Sequence, residues 1–184
     1  MVGELGPAHV EDALIRHARG FSVLLAPAEP APEVPAGLYR AAVALLAGSF
    51  DVVVLHLPRS FQEPTLTGVS MADELALVVA PELFAVYSAR RAVSALGLGP
   101  DRPYRIVVNP VVRGGIGGGT VARVLGQRPT AGVRFDPAVR RAQERGQLLK
   151  PGNRRAARDV SRLAAAPLED VPGEGRERRR GPRR

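Results

Sequence analysis

The chain has 184 residues, 45% hydrophobic and 24% charged, the balance of an ordinary soluble globular domain and not of a disordered or fibrous protein. It contains no cysteine, and His9, His17 and His56 are scattered, which excludes a disulfide framework and any Cys-based zinc or iron–sulfur site and leaves no histidine metal spacing. Of the net charge of +8, +5 falls in residues 151–184, where ten Arg face five acids, so the body of the chain is nearly balanced and a nucleic-acid role is not implied by charge alone.

Residues 1–14 carry Glu4, Glu11 and Asp12 and no Lys or Arg, the wrong charge for a signal or transit peptide. No apolar run approaches the ~20 residues that span a bilayer, so the expectation is a cytoplasmic protein.

In chain order, residues 9–18 carry a helical apolar period and are followed by a Val- and Leu-rich run, Phe21–Leu25, and a Pro-rich loop, Ala26–Pro35. A helix is expected over 36–48, then a second apolar run, Asp51–Leu57, and a third, Glu74–Ala80. Pro81 and Glu82 open a helix over 82–96 that Gly97, Gly99 and Pro100 stop. The fourth run, Tyr104–Asn109, precedes a helix over 118–125; the fifth, Ala131–Phe135, precedes a helix over 136–146 with Asp136 before Pro137 and Gly146 as its stop. Five short, continuously apolar runs alternating with helices are the pattern of strands buried on both faces, which predicts an α/β fold with a doubly wound, mostly parallel sheet. Residues 1–150 are expected to form this domain. Residues 151–166 are expected to add a terminal helix with Val160, Leu163 and Ala164 or Ala166 on its apolar face, and 167–184 an Arg-rich disordered tail.

In such a sheet the ligand crevice lies beyond the carboxyl ends of the strands. The residues there are Ala26-Pro27, His56 to Ser60 with Pro58 and Arg59, Pro81-Glu82, Asn109-Pro110 and Phe135-Asp136-Pro137. Each also has a plainer account as a turn former or helix cap. The glycine run Arg113-Gly-Gly-Ile-Gly-Gly-Gly-Thr120 could hold an anion on backbone amides, but it has no Lys, and the favoured reading is a flexible loop with Thr120 as a cap.

Five segments together resemble the MinD/ParA superfamily of deviant P-loop ATPases, most closely its CpaE/TadZ branch of pilus-assembly and septum-site proteins. They are Phe50-Asp51 to Pro58, similar to that family's second acidic strand; Ala72-Asp73-Glu74 to Pro81-Glu82, with Ser88 to Arg91 in the next helix; Val107-Val108-Asn109-Pro110; Phe135-Asp136-Pro137-Ala138-Val139 with Arg145-Gly146; and His17 to Pro27. The resemblance covers about residues 9–165 and implies a P-loop NTPase-like sheet of the SIMIBI type. The family's phosphate loop and its lysine find no counterpart, since the one Lys is Lys150, and the expectation is a chain that starts downstream of that loop.

The resemblance places a nucleotide-base pocket at Asn109, Phe135 and Asp136, with His56 and Pro58 at the tip of the acidic strand. The family has Asp where His56 stands, to hold the water shell of Mg²⁺; neutral imidazole suits that hard cation badly. Asp51, five strand residues away, lies ~16 Å from that point and cannot substitute. The expected pocket is therefore degenerate: no catalytic residue, no metal ligand, and ATP with Mg²⁺ only if a phosphate loop is supplied. Arg134 replaces the family's usual Pro before the aromatic.

Three functions follow. The first is a non-catalytic localisation factor for pilus or septum-site machinery, working through protein partners, a full-length ATPase of the same family or a second copy of itself, in the cytoplasm or peripherally at the inner membrane face or cell pole. The second is the C-terminal fragment of an active ATPase. The third is a nucleic-acid accessory whose Arg176, Arg178, Arg179, Arg180, Arg183 and Arg184 touch phosphates of nucleic acid or anionic lipid, with no aromatic among them to stack a base.

Overall fold

The computed structural model describes residues 5–26, 34–110, 113–149 and 155–166. Lys150 and the whole tail from 167, with the phosphate or lipid contacts expected of it, lie outside the described residues, as do residues 27–33 of the Pro-rich loop. The chain divides into two compact units, Met1–Asp73 and Glu74–Arg184.

The first unit begins with α1 (Pro7–Ala13), which Pro7 opens at its first turn. Next come β1 (Ile15–His17) and β2 (Phe21–Val23). The expected helix over 9–18 therefore stops at Ala13, and the expected parallel strand Phe21–Leu25 is the second arm of an antiparallel hairpin, with Ile15 opposite Val23 and His17 opposite Phe21. A tight turn decides this: Gly20 sits at φ +85°, its N–H bonds the His17 carbonyl at 3.0 Å, and the His17 and Phe21 rings stack 4.5 Å apart.

Helix α2 (Ala36–Ser49) follows and packs on α3 (Glu63–Met71), a helix with no counterpart in the sequence reading. It is short and buries Thr65, Thr67 and Gly68 beside Val69, so it has little apolar period to find; Pro64 in its first turn is its one clear signal. A Cβ on Gly68 would lie 2.8 Å from Leu57 Cδ2 and 2.9 Å from Tyr39 Oη, so glycine lets α3 approach.

Residues 51–57 overturn an expectation. Their side chains alternate in exposure, as in a strand, but they pair with no strand among the described residues. Val52 and Val54 are 76% and 85% exposed. The apolar run has strand character; what it lacks is a neighbour to complete its hydrogen-bond ladder.

The second unit carries the parallel sheet. β3 (Ala76–Val79), β4 (Arg105–Val108) and β5 (Ala131–Gly132) lie in the order β3-β4-β5, all parallel. The fold is thus α/β with a parallel sheet, of three strands among the described residues where five were expected. α4 (Leu83–Ala95) connects β3 to β4 and α5 (Gly118–Leu125) connects β4 to β5, while α6 (Pro137–Glu144) and α7 (Arg155–Ala165) complete the unit. Val79, Val86, Ala89, Tyr104, Ile106, Val121 and Leu125 form the core, so α4 turns its 86, 89 and 93 face inward at helical spacing. Gly97 at φ +59° ends α4 where the sequence placed its stop. At the amino edge of the sheet, Arg105 is buried in an ion pair with Glu74.

Helix α7 buries Ala156, Ala157 and Asp159; of its expected apolar face Leu163 and Ala166 are half-buried, while Val160 is 48% exposed and Ala164 is exposed. No helix of the described residues is long and apolar enough to cross a membrane.

Candidate functional site

The register of β3 and β4 puts the residues after Val79 and Val108 at one edge of the second unit's sheet, with Glu74 and Tyr104 at the other. The carboxyl edge therefore gathers Pro81 and Glu82, Asn109, and the segment Val133 to Asp136. The Asn109 N–H continues the ladder onto the Val79 carbonyl at 2.9 Å, and the Val133 N–H reaches the Val108 carbonyl at 2.9 Å, which brings these three strand ends side by side.

The glycine run closes over this edge. Gly114 and Gly115 adopt φ +91° and +110°, and the Ile116 N–H donates to the Pro81 carbonyl at 2.8 Å. A Cβ on Gly115 would fall 2.5 Å from that carbonyl oxygen, so only glycine fits. The loop is thereby fastened to the end of β3. Thr120 is not the cap of α5: Gly117 is the N-cap and Thr120 lies in the first turn, its N–H on the Gly117 carbonyl at 2.9 Å.

Of the expected pocket residues, Asn109 is exposed and Phe135 and Asp136 are half-buried. The Asp136 carboxylate is engaged as a helix cap, accepting from the Ala138 N–H at 2.9 Å. The Arg113 guanidinium stands 6.0 Å over the Phe135 ring, the outer range of a cation–π contact. His56 and Pro58 belong to the other unit, on the unpaired 51–57 segment and just after it, and both are exposed. Three of the five residues thus share one sheet edge.

Beside that edge lies a cluster the sequence reading missed. Arg134 reaches Asp159 on α7 through its backbone N–H (3.0 Å), Nε (2.8 Å) and Nη2 (2.8 Å). These hydrogen bonds hold the buried Asp159 carboxyl down to about 2, and the same bonds push the Arg134 guanidinium further up. The available signal was an acid at the centre of a helix whose other charges are all Arg. Among the described residues no group of three or more His, Asp or Glu is arranged to hold a metal ion.

The architecture has counterparts among solved structures. The MinD cell division protein of Aquifex aeolicus superposes with a TM-score of 0.71 at 20% identity, over 91% of this chain and 73% of that one. A ParA family ATPase from Chlorobium tepidum gives 0.71 at 12% identity, over 88% and 70% of the two chains. The fold is that of the MinD and ParA ATPases. The MinC:MinD cell division complex of A. aeolicus also matches, at a TM-score of 0.68 and 22% identity over 90% of this chain and 72% of that one. In sequence, an uncharacterized ATP-binding protein of Methanocaldococcus jannaschii is 29% identical over 113 residues, 58% of this chain. The chain spans 41% of that relative's length. No family model matches.

Proposed function

We propose that this chain is a CpaE/TadZ/MinD-like localisation factor, which positions pilus-assembly or septum-site machinery through protein contacts and does not itself turn over ATP. The observation that carries the reading is the glycine loop, whose Ile116 amide and Gly115 seat are committed to Pro81 and not left open for a phosphate.

Two further features support it. Asp136 is used as a helix cap, and Arg113 covers the Phe135 face on which a base would stack. Phosphoryl transfer rests on positioned cations and Mg²⁺ around the γ-phosphate. The imidazole of His56 is a poor donor for that metal, so the described residues do not fit Mg–ATP, and no catalytic step is assigned to them.

Steady-state phosphate release from ATP, with and without Mg²⁺, tests this on the chain and on His56→Asp. Both are expected to match the buffer blank, because restoring the acid leaves the metal no phosphate cradle to serve. Mg²⁺-dependent turnover by the unmodified chain would overturn the proposal.

A second reading, the C-terminal part of an active ATPase, is favoured by the 41% share of an ATP-binding relative's length. An in-frame GxxGxGK[ST] loop in the DNA upstream of Met1 would support it over the first.

A further inference from the structure

We infer that residues 51–57 pair antiparallel with the same segment of a second copy of this chain, about a two-fold axis through Val54. The segment is a strand in everything but its ladder. Val53, Leu55 and Leu57 are half-buried, with Leu57 lying against Gly68 of α3, while Val52, Val54 and His56 are exposed. Val52 and Val54 are among the most exposed apolar side chains of the molecule. Among the described residues, none of the backbone N–H groups of 51–57 reaches a backbone carbonyl, so a row of donors and acceptors stands open beside exposed valines.

Strand edges that stay single are guarded by charges or prolines along their length. The hairpin of β1 and β2 is guarded in this way, by Arg16, His17 and Arg19. From Val52 to Leu57 there is no Lys, Arg, Asp, Glu or Pro. The charges stand just outside, Asp51 before and Arg59 after, and neither has an ion-pair partner among the described residues.

This placement selects the occupant and its direction. With Val54 on the axis, Val52 opposes His56, Val53 opposes Leu55 and Asp51 opposes Leu57. Asp51 is then diagonal to Arg59 of the other copy, within reach of a long side chain, and the two-fold makes the same contact twice. A parallel, in-register pair would instead set Asp51 beside Asp51 and Arg59 beside Arg59, like charge against like. Pairing with β3 of another copy offers neither end an opposite charge, since β3 is ALVV, and as a heterologous contact it leaves open ends where the two-fold pair closes. Pro58, with no N–H, ends the ladder after Leu57. One strand pair is narrow beside the roughly 1,200–2,000 Å² of a standard interface, so the dimer is weak, with a Kd on the order of 10 µM.

Because the chain has no cysteine, single cysteines read the register directly. Val52→Cys, Val54→Cys, His56→Cys and Val78→Cys are introduced one at a time into the full chain, at exposed positions whose exchange should leave the fold intact. Opposed Cβ atoms of an antiparallel pair lie about 4.5–5.5 Å apart, close to the span of a disulfide. On mild oxidation Val54→Cys is expected to form a covalent dimer about tenfold faster than the other three alone, and Val52→Cys to cross-link with His56→Cys when the two are mixed. Sedimentation equilibrium reads the charges: Asp51→Arg and Arg59→Asp are each expected to weaken the dimer about fivefold, and the double variant to restore it. A chain that stays monomeric well above the expected Kd would overturn the inference. So would Val54→Cys cross-linking no faster than Val52→Cys, preferential cross-linking of Val54→Cys to Val78→Cys, or a double variant as weak as the single ones.

Discussion

Gly115 is held at φ +110° with its α-carbon turned toward Pro81, so an alanine there must enter both a disfavoured backbone region and the Pro81 carbonyl, 2.5 Å from its Cβ. Backbone cannot yield as a side-chain tip can, and the Ile116 to Pro81 hydrogen bond would be lost with it. Gly115→Ala is expected to destabilise the chain by about 2 kcal/mol, read as a lower midpoint in urea. Gly119, four residues further on, is the contrast: it lies inside α5 with nothing within 4 Å and no positive φ. Gly119→Ala should leave the loop alone and raise stability by about 0.5–1 kcal/mol, because only the helix propensity changes. If both substitutions destabilised equally, the loop would not be fastened as the geometry indicates.

At the level of elements, β4 and α7 bear the clearest consequences. Ile106 of the central strand β4 is fully buried, and Ile106→Ala is expected to cost about 3 kcal/mol in equilibrium unfolding. α7 is held differently, by one carboxylate and small residues. The Asp159 carboxyl ionises at about 2 where its ordinary value is 3.8, so it is a depressed acid whose contribution is full above the ordinary value. That contribution is lost as pH falls from about 4 toward about 2. Amide protection factors across 155–165, taken relative to the intrinsic rate at each pH, should therefore fall over this window, and Asp159→Asn should lower protection at neutral pH while removing the acid step. An α7 equally protected in the variant would show that Ala156 and Ala157 alone dock it.

For the whole molecule, the exposed apolar edges set the expectation. Residues 51–57 present Val52 and Val54 to solvent, and β3, paired only with β4 among the described residues, leaves Val78 61% exposed. Unpaired strand edges with apolar side chains favour pairing with another chain. Concentration-dependent self-association is expected by light scattering, reduced by Val54→Lys, which sets a charge on the edge. A chain that stays monomeric at high concentration and binds no hydrophobic dye would contradict it.

The sequence by itself determined the elements whose causes are local. α4, α5 and α6 stand within a residue or two of their expected limits, because an inward face at helical spacing and Pro or Gly punctuation act over a few residues. The central strand β4 was legible for a similar reason, since a strand buried on both faces must be apolar throughout; β3 is equally apolar although Ala76 and Val78 are exposed, and β5 is only Ala131–Gly132. Asn109, Phe135 and Asp136 could be assigned to one edge once those strands were known. The tertiary structure decided what depends on a partner distant in the chain. Residues 51–57 look like β3 to any local rule, yet strand pairing needs a neighbour, and sequence periodicity does not say whether one is present. Phe21–Val23 took an antiparallel partner because Gly20 turned the chain back, and Arg134 found Asp159 across 25 residues. A side chain's own pattern reports how much of it must be buried; which group meets it there is set by packing alone.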